Sequence, residues 1–559
     1  MAHAEKGAQV ADVGLPYDAG GSGDAVKGSS ADDQRDMARM GKEQEVRRDF
    51  RTVSMFGFSM ILMCSWEGIL STAAIGLGNG GSAGVLYTNL ATWLGFIAVY
   101  ASLGEMGSMM PTSGGQYRSS IPHIEPSILQ LTPAQTGCVL MLKALGRLLI
   151  EQQVSEFADR RYQRFLSYVV GWLGVLGWQV GVAFSGFLVG TQIQGLLALN
   201  YEWYVYERWH GTLLILAMLL FSVLFNTLLA HQLPLLEYVV LAIHLLGFLC
   251  ILIPLWALSP KTPSTEVWTS FNDPGWGSQG LSTLIGIVAS VAPLLGADAA
   301  AHMAEELVNA SFTLPRILLW ATVVNGAMAF VMLVTFCYCI GDLESVLSTP
   351  TGYPFIQVFY NSTQSLPAAN AMTSLIIILS ACSNITVMAG SSRQLFAFAR
   401  DSGVPFASWV AYVRPRSNVP VNAIIVSFVV AVIIALINIG STVAFNSVTS
   451  LGTGTLTISY IISISCMIWR KLSGRPLLPS HFDMGRRFGL AVNFVAVAFM
   501  CLVFVIAFFP PVPLPLLTVV SMNWSILIFG VVVLFSMGYY VVFGRKQYVG
   551  PVAFVRRSE

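Results

Sequence analysis

Charge is scarce in this chain. Asp, Glu, Lys and Arg make up 11% of its 559 residues, where a soluble domain carries about 25%. With 55% hydrophobic residues and a mean hydropathy of +0.67, that scarcity excludes an ordinary soluble protein. The net charge of +1 says little, because the charges crowd the first 50 residues, a few loops and the C-terminus; no nucleic-acid partner is expected. Histidine is also rare, at seven residues, and no paired His, Asp or Cys set points to a membrane-embedded enzyme, a cofactor or a metal. The sequence His302-Met303-Ala304-Glu305-Glu306 puts an imidazole and a carboxylate on one helix face without further ligands. Of eight cysteines, Cys64, Cys250, Cys337, Cys339, Cys382, Cys466 and Cys501 lie inside apolar runs, which argues against a disulfide framework. No cleavable signal peptide is visible, and residues 1–50 are polar and rich in Gly, Asp and Ala, the composition of a disordered cytosolic tail.

What is present is a series of apolar runs. About twenty residues cross a bilayer core, and by that measure twelve spans are predicted. They fall near 55–79, 84–104, 165–198, 210–230, 236–258, 282–307, 316–340, 370–392, 421–438, 443–468, 489–509 and 523–543. With a cytosolic N-terminus, 28 of the 30 lysines and arginines fall on the inside, and only Arg208 and Lys261 fall outside. That is the positive-inside bias, and it puts both termini in the cytosol, with 546–559 as a short cytosolic C-terminal tail. Asn361-Ser362-Thr363 falls in an outer loop as a glycosylation sequon.

Within the first run stands Cys64-Ser65-Trp66-Glu67-Gly68-Ile69-Leu70-Ser71. A carboxylate at that depth is costly, and the glycine beside it loosens the helix. Non-helical backbone survives in a bilayer only where it faces protein or water. The pair therefore reads as a broken helix with a binding site at the break, or as a Glu paired to a neighbouring helix.

Further motifs follow in order. The second run ends in Gly104-Glu105-Met106, with Pro111-Thr112-Ser113-Gly114-Gly115-Gln116-Tyr117 after it. The sixth holds Gly296-Ala297-Asp298, and the eighth leads from Gly390-Ser391-Ser392-Arg393 to Ala399-Arg400-Asp401-Ser402-Gly403-Val404-Pro405. Thr449-Ser450-Leu451 and Tyr460 mark the tenth. In this order the set resembles the amino acid–polyamine–organocation permeases, and in particular the fungal branch carrying amino acids, 4-aminobutyrate and choline. The resemblance covers roughly residues 50–545. It implies an all-α fold in which spans 1–5 and 6–10 form an inverted repeat and the last two pack outside, so that 51–545 is one permease domain. The sequence has one sign of that symmetry, since the first run of each half carries an acid beside glycine in mid-span.

One stretch departs from the family pattern. Family members pass from Gly-Gly-Gln-Tyr almost directly into Ser-Glu-Phe-Ala, whereas here residues 118–153 intervene before Val154-Ser155-Glu156-Phe157-Ala158. The stretch is too short and polar for a span. It reads as translated intron or gene-model error, or as a genuine cytosolic insertion.

A mechanism is implied. Amides freed at the second half-helices, Gly68 to Ser71 and Asp298 to Ala301, would hold a substrate carboxylate. Carbonyls of the first halves, with Glu67 or Asp298, would hold its ammonium. The expected substrate-binding set is Ser65, Trp66, Glu67, Gly68, Ile69, Ser71, Trp178, Gly296, Ala297 and Asp298. Glu67, Asp298 and His244 are candidates for proton coupling, with Na+ as the other candidate ion. His244 reads equally as a neutral imidazole bonded across helices. Glu105, Arg393 and Arg400 are expected at a cytosolic gate or in purely structural roles near the interface. The expected function is import of amino acids or related amines, 4-aminobutyrate among them, by proton symport and alternating access. The alternatives are choline or polyamine transport on the same fold, which would favour an aromatic box such as Trp66 and Trp178, and a transporter-like nutrient sensor. The lipid bilayer is the expected setting, the plasma membrane rather than the vacuolar one.

Overall fold

Backbone polar groups in hydrocarbon must be paired within the chain, and the apolar runs meet that demand as helices. The computed structural model describes residues 33, 48–110, 157–159, 161–414, 419–510, 512–513, 516–519 and 521–548, with backbone alone for 442–449. The expected tails and the 118–153 stretch therefore lie almost wholly outside the described residues. The described chain is all-α apart from two isolated bridges.

Among the described residues, eleven helices are long and apolar enough to cross a membrane. The first, Thr52–Met109, has 58 residues and would reach about 87 Å if straight, nearly three bilayer cores. It is not straight. Gly81 takes φ 67° and ψ −172°, a backbone only glycine adopts freely, and a Cβ there would stand 2.6 Å from the Ser270 carbonyl. Beyond it the chain returns along itself, with the Cβ position of Gly76 2.4 Å from Val85 Cγ2. The eleven helices are thus twelve legs, as the apolar runs predict.

The other spans are Gln163–Asn200, Arg208–Leu228, Leu233–Leu258, the fragmented segment from Gln279 to His302, Ala310–Cys339, Leu366–Arg400, Val421–Gly440, Thr442–Leu472, Arg486–Ala507 and Ser525–Tyr539. A helix not foreseen, Pro354–Thr363, packs between spans seven and eight. In the most apolar window of Thr52–Met109, 83% of residues are buried, against 11% in Ser525–Gln547. The first legs therefore form the core, and the last helix turns Leu527, Val531, Leu534 and Phe535 outward, a lipid-facing surface. We call the face carrying Arg48 and Tyr548 the terminal face, and its opposite the far face.

Candidate functional site

The first span stops and restarts at Cys64, whose φ of 44° and ψ of 51° are left-handed. That backbone costs an L-residue roughly 1–2 kcal/mol. The Cys64 carbonyl accepts the Gly68 N–H at 2.7 Å. This corrects the expectation that the break lies at Glu67-Gly68. The second half-helix begins at Ser65, so its open amide positions are 65–67 and the Gly68 amide is already spoken for. Gly68 serves a different end, since a Cβ there would meet Pro293 Cβ at 3.0 Å. It lets the two broken spans touch.

The sixth span is fragmented throughout. Short helices Gln279–Ile285 and Val288–Val291 lead into a 3-10 turn Ala292–Leu294, then to extended Leu295 and to Gly296 at φ +104°. Helix resumes only as Ala299–His302. Hydroxyls from spans one and two pair with the freed backbone. Ser65 Oγ donates to the Pro293 carbonyl at 2.8 Å and Thr72 Oγ1 to the Ala289 carbonyl at 2.8 Å. Tyr100 bridges the gap itself, donating to the Leu294 carbonyl at 3.1 Å and accepting from the amides of Gly296 at 2.9 Å and Ala297 at 3.1 Å. The amides of Ala299, Ala300 and Ala301 donate to the carbonyls of Gly296, Ala297 and Asp298. The predicted carboxylate cradle at 298–301 is therefore closed in this state, because tight turns have consumed its donors.

Beside the breaks lies a cavity of about 480 Å³. It runs from Cys64 and Gly296 to Tyr206, Gly352 and Asn523 at the far face. Of the expected binding residues, Gly68, Ser71, Trp178 and Gly296 are on its wall. Ser65, Trp66, Glu67, Ile69, Ala297 and Asp298 are not. Helix pitch explains part of the division: Cys64, Gly68, Ser71, Thr72 and Ile75 share one face, Trp66 points the other way, and Glu67 lies at the edge of that face with its carboxylate turned to His244. Trp66 packs instead on His244 and Phe248. Arg208 is the only charged side chain on the wall among the described residues. Leu62, Trp178 and Gly296 meet at its floor, where a Cβ on Gly296 would stand 3.1 Å from Leu62 Cδ2 and 3.4 Å from Trp178 Cη2.

Two acidic centres flank this cavity from behind. Glu67 Oε1 lies 2.7 Å from His244 Nδ1, both side chains fully buried, and His244 Nε2 lies 3.3 Å from Asn325 Oδ1. The Asn325 amide nitrogen donates to the Met60 carbonyl at 3.1 Å, so Oδ1 is left to accept from the imidazole. His244 then carries a proton on Nε2, and the contact with Glu67 holds a second. The unit is neutral overall, as imidazolium–carboxylate or as imidazole–carboxylic acid. The other centre is Asp298, whose Oδ1 accepts from the Tyr460 hydroxyl while Oδ2 lies 3.6 Å from His302 Nε2. Trp178 stands edge-on to His302, ring centroids 5.7 Å apart, and separates this centre from the cavity.

The three expected gate residues all lie at the terminal face in ion pairs. Arg400 Nη2 lies 3.1 Å from Glu305 Oε1, Arg393 Nε 3.0 Å from Glu306 Oε1, and Lys471 Nζ 2.6 Å from Glu105 Oε2. A strap from the N-terminal side joins them. Arg48 donates to the carbonyls of Ala304 and Leu307, and the Phe50 amide donates to the Glu306 carbonyl at 3.0 Å. Sequence reasoning found one member of each pair and missed Lys471, Asn325 and Tyr100. A lone basic residue at a helix end, or an Asn or Tyr within a span, carries no local signal of its partner.

Known proteins are similar to this chain in sequence. A family model described as amino acid permease matches residues 148–534. A Macrophomina phaseolina protein named for amino acid/polyamine transport is 29% identical over 82% of this chain and 94% of its own. A Saccharomyces cerevisiae choline transporter is 26% identical over 90% of this chain and 83% of its own. Amino-acid permease 2 of Neurospora crassa is 26% identical over 92% and 88%. With its broken first and sixth spans around a cavity and a family match over most of its length, the chain belongs to the amino acid permease family.

Proposed function

We propose that this permease carries zwitterionic amino acids or related amines such as 4-aminobutyrate inward across the membrane, coupled to protons, by alternating access. The observation that carries the reading is the cavity of about 480 Å³ reaching the far face, with its floor at the contact of the two broken spans and the terminal face shut by ion pairs. That is one of the two states alternating access requires. The half-helix starting at Ser65 turns its positive end toward the wall at Cys64 and Gly68, which suits a carboxylate. The extended backbone at Leu295-Gly296 and the hydroxyls of Ser71, Ser380 and Ser383 suit an ammonium. A polyamine would meet Arg208 and, among the described residues, no acidic wall residue, which disfavours it.

For coupling, the Glu67–His244 pair and Asp298, which accepts from Tyr460, are the proton-exchanging groups behind the wall, where a change of facing state alters their hydration. Glu105, Arg393 and Arg400 act as the terminal-face gate, and the termini lie in the cytosol of a plasma-membrane protein. A second reading, choline transport, draws support from the aromatic wall residues Trp178, Phe184 and Tyr206 and from similarity to a choline transporter.

Competition uptake tests the reading in cells lacking their own permeases. Neutral amino acids and 4-aminobutyrate should compete with one another, and an uncoupler should abolish accumulation. Preferential inhibition by choline would favour the second reading. Uptake that merely equilibrates the substrate with an uncoupler-insensitive rate would exclude proton-driven transport.

A further inference from the structure

Glu237 sits in the second turn of the fifth span and is fully buried. Its Oε1 lies 2.9 Å from Thr386 Oγ1 of the eighth span, and its Oε2 has no hydrogen-bond partner. No basic side chain pairs with it among the described residues. The inner half of the first span, Thr52–Met63, covers it from the other side. A Cβ on Gly57 would stand 2.7 Å from the Glu237 carbonyl oxygen, so the backbones are in direct contact.

The hydroxyl of Thr386 also lies 3.0 Å from the Cys382 carbonyl of its own helix, and it has one hydrogen to give. When Thr386 donates to that carbonyl, as helical threonines do, the proton in the 2.9 Å contact must come from the Glu237 carboxyl. When Glu237 is ionised, Thr386 must abandon Cys382 and donate to the carboxylate. Oε2 is then a charged oxygen without partner in an apolar interior, which is strongly disfavoured. The seat therefore fits the proton-loaded acid. It offers no shell of oxygens for an alkali cation.

The groups around it do not change this assignment. The half-helix Thr52–Met63 carries no titratable side chain. On the eighth span Cys382 is the near neighbour, and Arg393 and Arg400 are held by Glu306 and Glu305. On the seventh, Arg316 stacks on Phe312, and Cys337, Tyr338 and Cys339 lie at the far end. On the fifth, His244 is engaged by Glu67 and Asn325, with Tyr238 exposed beside the carboxyl and Cys250 exposed further along. Tyr360 lies on the far-face helix, and His231 is exposed ahead of the span.

We infer that Glu237 is a further proton-binding site of the transport cycle, beyond the Glu67–His244 unit and Asp298, loaded in the state seen here and emptied when the Thr52–Met63 half-helix lifts from it about Cys64. Ser383 and Val387 of the eighth span line the cavity and Thr386 faces Glu237, so the seat lies just behind the cavity wall. A proton from cavity water binds the carboxylate. Lifting the half-helix admits water from the terminal face, which solvates the carboxylate and takes the proton away. The inference rests on the transport reading above.

The test uses the full chain in liposomes, measuring substrate counterflow and proton-driven accumulation separately. Glu237→Gln, a mimic of the loaded acid, should keep counterflow, lose accumulation to a ratio of unity, and lose the pH dependence of uptake. Wild-type accumulation and pH profile in Glu237→Gln would overturn the inference, as would a folded variant that loses counterflow too. Thr386→Val, which removes the hydroxyl that stabilises the ionised form, should move the accumulation profile to higher pH; an unmoved profile would overturn the inference even where Glu237→Gln fails to fold. Accumulation that follows Na+ and not pH would replace the proton by a cation. Absence of wild-type counterflow with any amino acid or amine would instead remove the transport reading beneath it.

Discussion

At the far face the broken spans border a cavity whose wall carries one charged side chain, Arg208, whereas at the terminal face Glu105, Glu305 and Glu306 each meet a basic partner. The difference is one of reversibility. Apolar contacts at the cavity floor, among Leu62, Trp178 and Gly296, separate gradually as helices tilt. A dry ion pair has two settled states, paired when water is excluded and hydrated when the face opens, with little favourable ground between them. One end therefore serves as a lined vestibule and the other as a latch.

The largest expected effect sits between the two ends. Glu67→Gln should abolish uphill uptake, because the proton shared with His244 has no other carrier at that break; unchanged accumulation with unchanged pH dependence would remove Glu67 from coupling. Next is the latch. Lys471→Met leaves Glu105 buried without a counter-charge, which costs about 3–5 kcal/mol. It should lower the thermal midpoint in detergent, and the double variant Lys471→Met/Glu105→Met should recover most of the loss. Tyr460→Phe removes the donor to Asp298 and should cost about 1–3 kcal/mol, read as a shifted pH profile of uptake. Gly296→Ala places a side chain at φ +104° against Leu62 and Trp178, costing about 1–3 kcal/mol, and should weaken uptake by disturbing the cavity floor.

The smallest effect is at the exposed rim of the latch. The Arg161 backbone N–H, then the Arg475 guanidinium, hold the Asp159 carboxyl below its usual range. A depressed carboxyl contributes above its unfolded value and loses that contribution as pH falls through the folded one. Arg475→Ala should therefore leave uptake at neutral pH unchanged and lower the thermal midpoint slightly there, a difference that disappears as acid removes the same contribution from the wild type. A large effect at neutral pH would mean the rim takes part in the latch.

The twelve legs were legible because each is a run of apolar residues long enough to cross hydrocarbon, and a run can be read locally. The position of the first break was misplaced by three residues. Glu67-Gly68 looks like the weak point from composition, but Cys64 adopts the left-handed backbone while Gly68 provides close approach to Pro293. From the restart at Ser65, Trp66 points away from the cavity, and Glu67, at the edge of the lining face, is drawn to His244 instead. Glu105, Arg393 and Arg400 stood out as charges near the membrane edge, yet Lys471, Glu305 and Glu306 became their partners only through contacts between residues 87 to 366 positions apart.

The sequence alone determined that this chain is a multi-pass helical membrane protein with an acid beside glycine in its first and sixth spans, since bilayer thickness and the cost of buried charge act on short stretches. Tertiary structure alone decided which carboxylates face the cavity and which are sealed behind it, because a rotation of about 100° per residue sends neighbours to opposite sides. Only helix packing says which side is wet.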